Sequence, residues 1–128
     1  MVEDNEGFLY PTINKETCVD CSLCEKVCPI LNKQSRNKPK LVLAAKNANI
    51  KIQKQSTSGG IFTIIAQQVI KEGGVVFGAI FDDEWEVHHD CVEAEFDLGL
   101  FRGSKYVQSR IEDIFKQIKE QLKNGKKV

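Results

Sequence analysis

Four cysteines lie close together in the run "CVDCSLCEKVCP", residues 18–29. Their spacing, C-x2-C-x2-C-x3-C followed by proline, is the ligand pattern of a [4Fe–4S] cluster, because each short gap lets the chain turn about the cluster. A structural zinc site more often uses two separated C-x2-C pairs. The pattern therefore favours iron–sulfur over zinc, with four candidate ligands: Cys18, Cys21, Cys24 and Cys28.

The fourth cysteine raises the question of whether the chain contains all the ligands of its cluster. In two-cluster proteins the cysteine before proline binds the other cluster. By that rule Cys18, Cys21 and Cys24 hold one cluster and Cys28 belongs to a second, yet the chain has no second cysteine run. We therefore predict a cluster that is labile or absent when this chain is isolated.

The fifth cysteine, Cys91, lies in a segment that alternates like a strand and is interpreted as a small buried side chain rather than a ligand. The adjacent His88 and His89 point to opposite faces of such a strand, so both do not easily serve one ion. They are candidates for acid–base chemistry by residue type only. No residue is a convincing nucleophile.

Two further segments could bind an anion. The loop Ser56, Thr57, Ser58, Gly59 and Gly60 precedes a predicted helix, whose free amides and dipole attract anions. Later, Arg102 and Lys105 flank Gly103 and Ser104 and could clamp a phosphate. Ordinary capping and surface charge explain these segments about as well, since neither matches an established phosphate-loop motif.

The elements that position these residues follow from periodicity and breakers. Apolar "LVLAAKN" predicts a buried strand over 41–47. A helix is expected near 59–72, with Ser58 as N-cap, Gly73 at its end and a stripe at helical spacing formed by Ile61, Ile64, Ile65, Gln68 and Val69. Residues 74–81 and 85–92 predict a β-hairpin. Around the cysteines, 5–17 predicts a small hairpin and the polar stretch 31–40 a linker.

The C-terminal third predicts a short helix within 93–103, then an extended segment or strand in "SKYVQS". A last helix is expected with Ser109 as its cap and Lys126–Val128 beginning a strand. Its predicted apolar stripe comprises Ile111, Ile114, Phe115, Ile118 and Leu122.

Composition limits the classes of function. The chain has 128 residues, 41% hydrophobic and 28% charged, as expected of a globular protein. It contains no apolar run long enough to span a membrane, and its acidic start lacks a signal peptide. Five cysteines, an odd number, argue against a disulfide framework. A cytoplasmic protein is therefore expected.

Charge is segregated although the formal net charge is zero. Residues 25–57 carry eight Lys and Arg against one acid, and 81–100 carry eight acids and no Lys or Arg. Solvated faces explain this pattern, and a basic rim near phosphates or an anionic cluster would also do so. The basic runs lack interleaved aromatic residues, so a nucleic-acid partner is not expected.

Together, the segments "EGFLYP", "CVDCSLCEKVCP", "STSGGIFT", "GGVVFGAIFD", "FRGSKYVQS" and "NGKKV" occur in an order that resembles the coenzyme F420 hydrogenase/dehydrogenase beta-subunit family. The resemblance implies an α/β (α+β) architecture. A ferredoxin-like segment, 1–36, would be followed by the N-terminal part of an FAD-binding-type domain, 37–128.

The resemblance also implies an oxidoreductase that passes electrons between a [4Fe–4S] cluster and FAD, and onward to the deazaflavin coenzyme F420 or another organic substrate. The five residues of the loop 56–60 match the segment expected against FAD, and Ser104, Lys105 and Tyr106 match the later loop near the cofactor. The expected partners are a redox protein or the rest of the same subunit.

Members of that family often carry an earlier cysteine run and continue beyond "GKKV", so we expect this chain to be truncated at both ends. A sheet that lacks its next strand would favour self-association. The alternatives are a non-catalytic metal-binding or partner-docking fragment and a structural zinc site.

Overall fold

The computed structural model describes residues 1–33, 35 and 37–128, which divide into two compact units, Met1–Leu43 and Ala44–Val128. The predicted linker 31–40 includes Gln34 and Arg36, which lie outside the described residues. Its other residues form no helix or strand.

The first unit has a small hairpin and one helical turn. Strands β1 (Val2–Glu3) and β2 (Leu9–Tyr10) pair antiparallel. The Asp4 carboxylate tightens the turn by accepting the amides of Glu6 and Phe8, each at 2.9 Å. Helix α1 (Leu23–Val27) follows. The expected hairpin is present but begins at residue 2 rather than 5.

Burial in the first unit is minimal. Among its described residues none is buried, and only Leu9 and Cys28 are half-buried. Apolar side chains are strongly exposed, as for Val19 at 81% and Ile30 at 75%. Apolar burial, which stabilises most domains at about 25 cal/mol per Å², therefore contributes little here.

The second unit is built on a β-hairpin. Strands β3 (Val76–Phe81) and β4 (Val87–Val92) pair antiparallel from Val76↔Val92 to Phe81↔Val87. The turn is held by the Asp82 carboxylate, which accepts the amides of Glu84 and Glu86 at 3.0 and 2.8 Å. The predicted hairpin is confirmed.

Helix α3 (Ile61–Lys71) confirms the helix expected near 59–72. It ends as predicted, with Gly73 at φ +76°, but it begins after Gly60 at φ +71°, so Ser58 is not its N-cap. The left-handed backbone at Gly60 suits glycine, which has no Cβ to clash.

The buried face of α3 differs from the predicted one. Thr63 and Ala66 are buried, whereas Ile64 and Ile65 of the expected stripe are 45% and 61% exposed. The helix is apolar on more than one face, so periodicity alone does not select the face that meets the core.

A 3-10 helix over Glu95–Phe101 closes the core and occupies the range predicted for a short helix. The core cluster comprises Ala66, Val92 and Leu98, with Ile70, Val76 and Phe101 packed against it. Leu98 is fully buried. The architecture is a small mixed α/β unit.

Helix α4 (Ile114–Lys123) begins after Asp113 rather than at a Ser109 cap. The Ser109 hydroxyl is instead 2.8 Å from Nδ1 of His89. Ile114 is buried, but Phe115 and Leu122 of the predicted stripe are 70% and 56% exposed. Ile118, one turn after Ile114, is half-buried, so burial decreases along the helix.

The strand predicted at 41–47 is wrong. These residues form no strand, and Leu41, Val42 and Leu43 are each at least 73% exposed. The sheets of the described residues contain only the pairs β1–β2 and β3–β4, so this apolar segment is a strand of neither sheet.

The C-terminal residues contact the start of β3 without forming the predicted strand. The Val75 amide donates to the Lys127 carbonyl at 2.9 Å. The Lys126 ammonium pairs with Glu93 at 2.7 Å, and Lys127 pairs with Glu72. A hydrogen bond from Lys127, followed by one from Gln68, lowers the pKa of Glu72.

Candidate functional site

The four clustered cysteines lie in and beside one turn of helix. Cys18 and Cys21 are in the loop before α1, Cys24 is within it, and Cys28 is its C-cap, directly before Pro29. The first three are exposed and Cys28 is half-buried.

The backbone between these cysteines is strained in two places. Asp20 and Ser22 have φ of +48° and +54°, a left-handed region that residues other than glycine seldom adopt. Left-handed residues let successive amides converge, which is how chains surround anions and iron–sulfur clusters. Strain of this kind often marks functional sites.

A cavity opens beside the first cysteine. It has a volume of about 350 Å³ and is lined by Ile13, Lys15, Cys18 and Asp20. The Cys18 sulfur lies 3.6 Å from an Asp20 carboxylate oxygen. In the described ranges, 1–33, 35 and 37–128, no group of three or more His, Cys, Asp and Glu side chains is placed to hold a metal ion.

The chemistry of the donor set nonetheless fits an iron–sulfur cluster. Four thiols recur at the ligand spacing, on a curved loop that faces solvent, and thiolates are the ligands of [4Fe–4S] clusters. Cys18, Cys21, Cys24 and Cys28 are the residues that would hold it, and their roles stay a prediction.

A second candidate site lies wholly within the second unit. A cleft of about 160 Å³ brings together the two segments predicted to bind anions, and we call it the hydroxyl cleft. Its lining comprises Ser56, Thr57, Ser58, Gly60, Ile61, Phe62, Phe101, Arg102, Gly103 and Ser104. Four hydroxyl groups and one guanidinium therefore surround the N-terminus of α3, where free amides favour negative charge.

The loop before α3 is held by a buried residue that sequence reasoning missed. Asn47 donates its amide to the Gly59 carbonyl at 2.6 Å and its side-chain nitrogen to the Gly60 carbonyl at 3.2 Å. A Cβ on Gly59 would overlap the carbonyl oxygen of Ala45. Gly59 thus allows the loop to contact the Ala45 main chain closely. The other four residues of the predicted segment line the cleft.

Arg102 lies in the second segment that lines the cleft, residues 101–104, and two hydrogen bonds hold its side chain. Its Nη1 donates to Gln55 Oε1 at 2.8 Å, and its Nε donates to the hydroxyl of buried Thr63 at 3.3 Å. Helix α2 (Ile50–Lys54), N-capped by Asn49, ends just before Gln55. The bond to Gln55, directly before the loop 56–60, links Arg102 to this part of the chain across 47 residues of sequence.

Lys105 and Tyr106, also predicted to contact a cofactor, are absent from the lining. Tyr106 is 93% exposed. The Lys105 ammonium instead donates to the carbonyls of Leu100 and Arg102, at 3.0 and 3.1 Å. It also lies 6.0 Å from the centre of the Phe81 ring, and burial lowers its pKa.

The histidines have separate partners. His88 Nδ1 is 3.9 Å from Asp82, and His89 is bonded to Ser109. Neither histidine lines the hydroxyl cleft. Burial, with smaller contributions from the Asp90 and Glu93 carboxylates, raises the pKa of the Cys91 thiol. A thiol held in its neutral form is a poor metal ligand, which agrees with the interpretation of Cys91 as a packing residue.

Residues 11–31 match the family model described as a 4Fe-4S binding domain. A search of curated proteins found no match, and neither did a search of solved structures. The matched segment contains all four clustered cysteines and the lining of the cavity beside Cys18.

The chain therefore carries a ferredoxin-like 4Fe–4S motif in a mixed α/β protein, and its first unit is of an iron–sulfur, electron-transfer or metal-binding type. The match does not reach the hydroxyl cleft. In the part of the chain that the structure describes, no helix is long and apolar enough to cross a membrane.

Proposed function

We propose that the chain relays electrons between FAD, whose phosphate groups bind in the hydroxyl cleft, and a [4Fe–4S] cluster bound by Cys18, Cys21 and Cys24, with Cys28 as a ligand of a second cluster. The cluster supplies one-electron transfer and the flavin supplies hydride exchange with an organic substrate. In a reducing cytoplasm the cysteines stay free for iron.

One observation carries the cluster half of this proposal: the match of residues 11–31 to a 4Fe–4S binding domain coincides with the complete C-x2-C-x2-C-x3-C-P run. The positive φ at Asp20 and Ser22 supports it, because that curvature directs the chain around a compact group.

The flavin half is supported by the chemistry of the hydroxyl cleft. Arg102, four hydroxyl groups and the N-terminal amides of α3 are donors that suit a phosphate. Ligand pockets for whole small molecules measure roughly 300–1,000 Å³. A cleft of about 160 Å³ suits the diphosphate portion, with the remainder of the cofactor outside it.

The resemblance to the coenzyme F420 hydrogenase/dehydrogenase beta-subunit family supports a deazaflavin as the organic substrate. It also supports a redox partner protein, or the remainder of a longer subunit, as the source of the second cluster to which Cys28 would contribute. A chain that works with such a partner need not hold a stable cluster alone.

Anaerobic reconstitution tests the cluster. We expect iron and sulfide to bind and then to fall below four irons per chain on gel filtration, because three thiolates leave one iron open. Four irons that survive gel filtration would contradict this expectation and assign Cys28 to the same cluster. A colourless protein with one zinc per chain would favour the structural zinc site.

Titration with FAD and with ADP tests the cleft. We expect both to bind, and the Arg102→Met variant to bind each about 10- to 100-fold more weakly, as for loss of a charge-assisted hydrogen bond worth roughly 1.5–3 kcal/mol. Arg110→Met is the matched control, since Arg110 pairs with Glu86 away from the cleft. Wild type that binds neither ligand would refute the flavin assignment.

Self-association is the remaining proposal. Among the hydrogen bonds of the described residues, the main chain of the C-terminal residues reaches Val75, directly before β3, and none of the residues of β3 itself. Exposed strand edges pair readily with other chains. Light scattering across the micromolar range should detect dimers, and a monomer throughout would refute the idea.

A further inference from the structure

Lys105 was expected to contact a ligand, but it does not line the hydroxyl cleft, and its ammonium bonds to the protein's own main chain. It donates to two main-chain carbonyls, those of Leu100 and Arg102, at 3.0 and 3.1 Å. These carbonyls belong to the end of the 3-10 helix and to the residue after it, where carbonyl groups lack helical partners.

The bonded segment forms one wall of the hydroxyl cleft. Phe101, Arg102, Gly103 and Ser104 all line it. Gly103 has φ +84°, and a Cβ placed on it would meet nothing within 4 Å, so packing does not restrain this part of the wall. The wall is exposed at Gly103 and Ser104. The shape of this end of the wall therefore depends on hydrogen bonds rather than burial, whereas Phe101 is packed against the core.

The Arg102 amide donates to the Gly99 carbonyl at 3.1 Å, and Lys105 supplies the side-chain hydrogen bonds to the main chain of the wall. The side chain of Arg102 is held by Gln55 and Thr63, but its main-chain carbonyl accepts a hydrogen bond from Lys105. The ammonium also faces the Phe81 ring, at the end of β3. Lys105 thus joins the cleft wall to the sheet through a charged group, whose hydrogen bonds are stronger than neutral ones.

We propose that Lys105 is a positioning residue that holds the 100–104 wall so that Arg102 and Ser104 face a bound phosphate. It acts through main-chain carbonyls and does not touch the ligand. The expected effect of Lys105 on ligand affinity rests on the proposed function. Its expected effect on hydrogen exchange in the wall does not.

Two substitutions separate positioning from general stability. Lys105→Met keeps much of the aliphatic stem and removes the donors, and Lys105→Arg restores donors. Lys116→Met is the matched control, because Lys116 is 79% exposed and pairs only locally with Asp113. We expect ADP to bind Lys105→Met at least 10-fold more weakly, with most of the affinity recovered in Lys105→Arg and no change in Lys116→Met.

Two readouts need no ligand. Hydrogen exchange at residues 100–104 should quicken in Lys105→Met and not in Lys116→Met. Trp85, the only tryptophan, packs against Phe81 with ring centres 5.7 Å apart, so its fluorescence should also change when the neighbouring ammonium is removed.

The outcomes are distinguishable. If wild type binds ADP and Lys105→Met binds it equally well, the proposal is overturned. If wild type binds neither ADP nor FAD, the flavin function fails, and hydrogen exchange alone decides: faster exchange at 100–104 supports Lys105 as the anchor of the wall, and unchanged exchange refutes it.

Discussion

Residues 1–43 and residues 44–128 differ in what holds each of them together. Among its described residues the first unit buries no side chain, whereas the second has seven buried hydrophobic residues around α3, the hairpin and the 3-10 helix. Yet the first unit carries the segment that matches the model of a 4Fe-4S binding domain, and the searches of curated proteins and of solved structures found no match for the chain.

The contrast separates two sources of stability. A unit without a core must obtain its folding free energy from ligands, and in small metal-binding domains the binding energy of the metal centre is folding energy. A unit with a core is stabilised by apolar burial whether or not a cofactor is present. We infer that the first unit depends on its cluster and that the second does not.

The largest expected effect concerns the cluster. Cys21→Ser removes one of three thiolates in the same cluster, so we expect reconstituted iron to be lost almost completely. Hydrogen exchange in residues 1–43 should then become as fast as in an unfolded chain, with β3 and β4 unchanged. Cys91→Ser is the control and should reconstitute normally. If residues 1–43 stay protected from exchange in Cys21→Ser, the first unit does not depend on its cluster.

A core substitution should destabilise the second unit and leave the first unit unchanged. Leu98→Ala leaves a cavity in the second unit and should lower its free energy of unfolding by about 2–5 kcal/mol. Iron uptake by the cysteines should not change. Phe96→Ala, in the same 3-10 helix but at a residue 86% exposed, should cost far less. Chemical denaturation followed by far-ultraviolet circular dichroism measures both; equal losses would argue against the core described above.

A smaller effect is expected at the loop before α3. Gly59→Ala places a Cβ against the Ala45 carbonyl, so the loop must move, at a cost of about 1–3 kcal/mol. We expect ADP affinity to fall with it. Gly99→Ala meets no atom within 4 Å and is the control. Undiminished affinity in Gly59→Ala would show that this loop does not shape the cleft.

The smallest effect is a dependence on pH within the second unit. Because the pKa of Cys91 is raised, less thiolate is present at a given pH, and alkylation of Cys91 should be slower than that of an exposed cysteine. The native state holds this proton more tightly than the unfolded chain. Its contribution is therefore complete below the unfolded pKa of about 8.5 and is lost as pH rises through the folded value.

The alkylation test becomes more specific when one of the carboxylates that raise the pKa of Cys91 is removed. Asp90→Asn takes away a carboxylate that raises the pKa, so alkylation should quicken at pH 8. Asp83→Asn, a change in the same hairpin at a residue that does not contribute to the shift, is the control. Equal rates in all three proteins would contradict the assignment of Asp90 as a cause.

Local signals were enough to predict the hairpin and the C-terminal end of α3. The β-branched residues of 74–81, the alternation of 85–92 and the glycine after Lys71 each act within a few residues, so sequence alone reveals them. The cysteine spacing likewise specifies donor chemistry without knowledge of the fold.

Features that depend on distant partners were not predictable. The apolar run at 41–43 is exposed because a strand requires an edge elsewhere to receive it. Asn47 looks like any polar loop residue until its bond to Gly60, thirteen residues away, is known. The hydrogen bonds of Lys105 depend on two carbonyls, those of Leu100 and Arg102, which the end of the 3-10 helix places within reach.

The two C-terminal lysines connect parts of the second unit that are far apart in sequence, since Lys126 reaches Glu93 after β4 and Lys127 reaches Glu72 after α3. Both pairs are at least partly exposed, so dissolved ions screen them, with a Debye length of about 3 Å at 1 M salt. High ionic strength should therefore weaken both ion pairs and release the C-terminal residues from the rest of the second unit. Trypsin should cut after Lys126 faster in 1 M salt than in 0.05 M salt, while sites in α3 stay resistant.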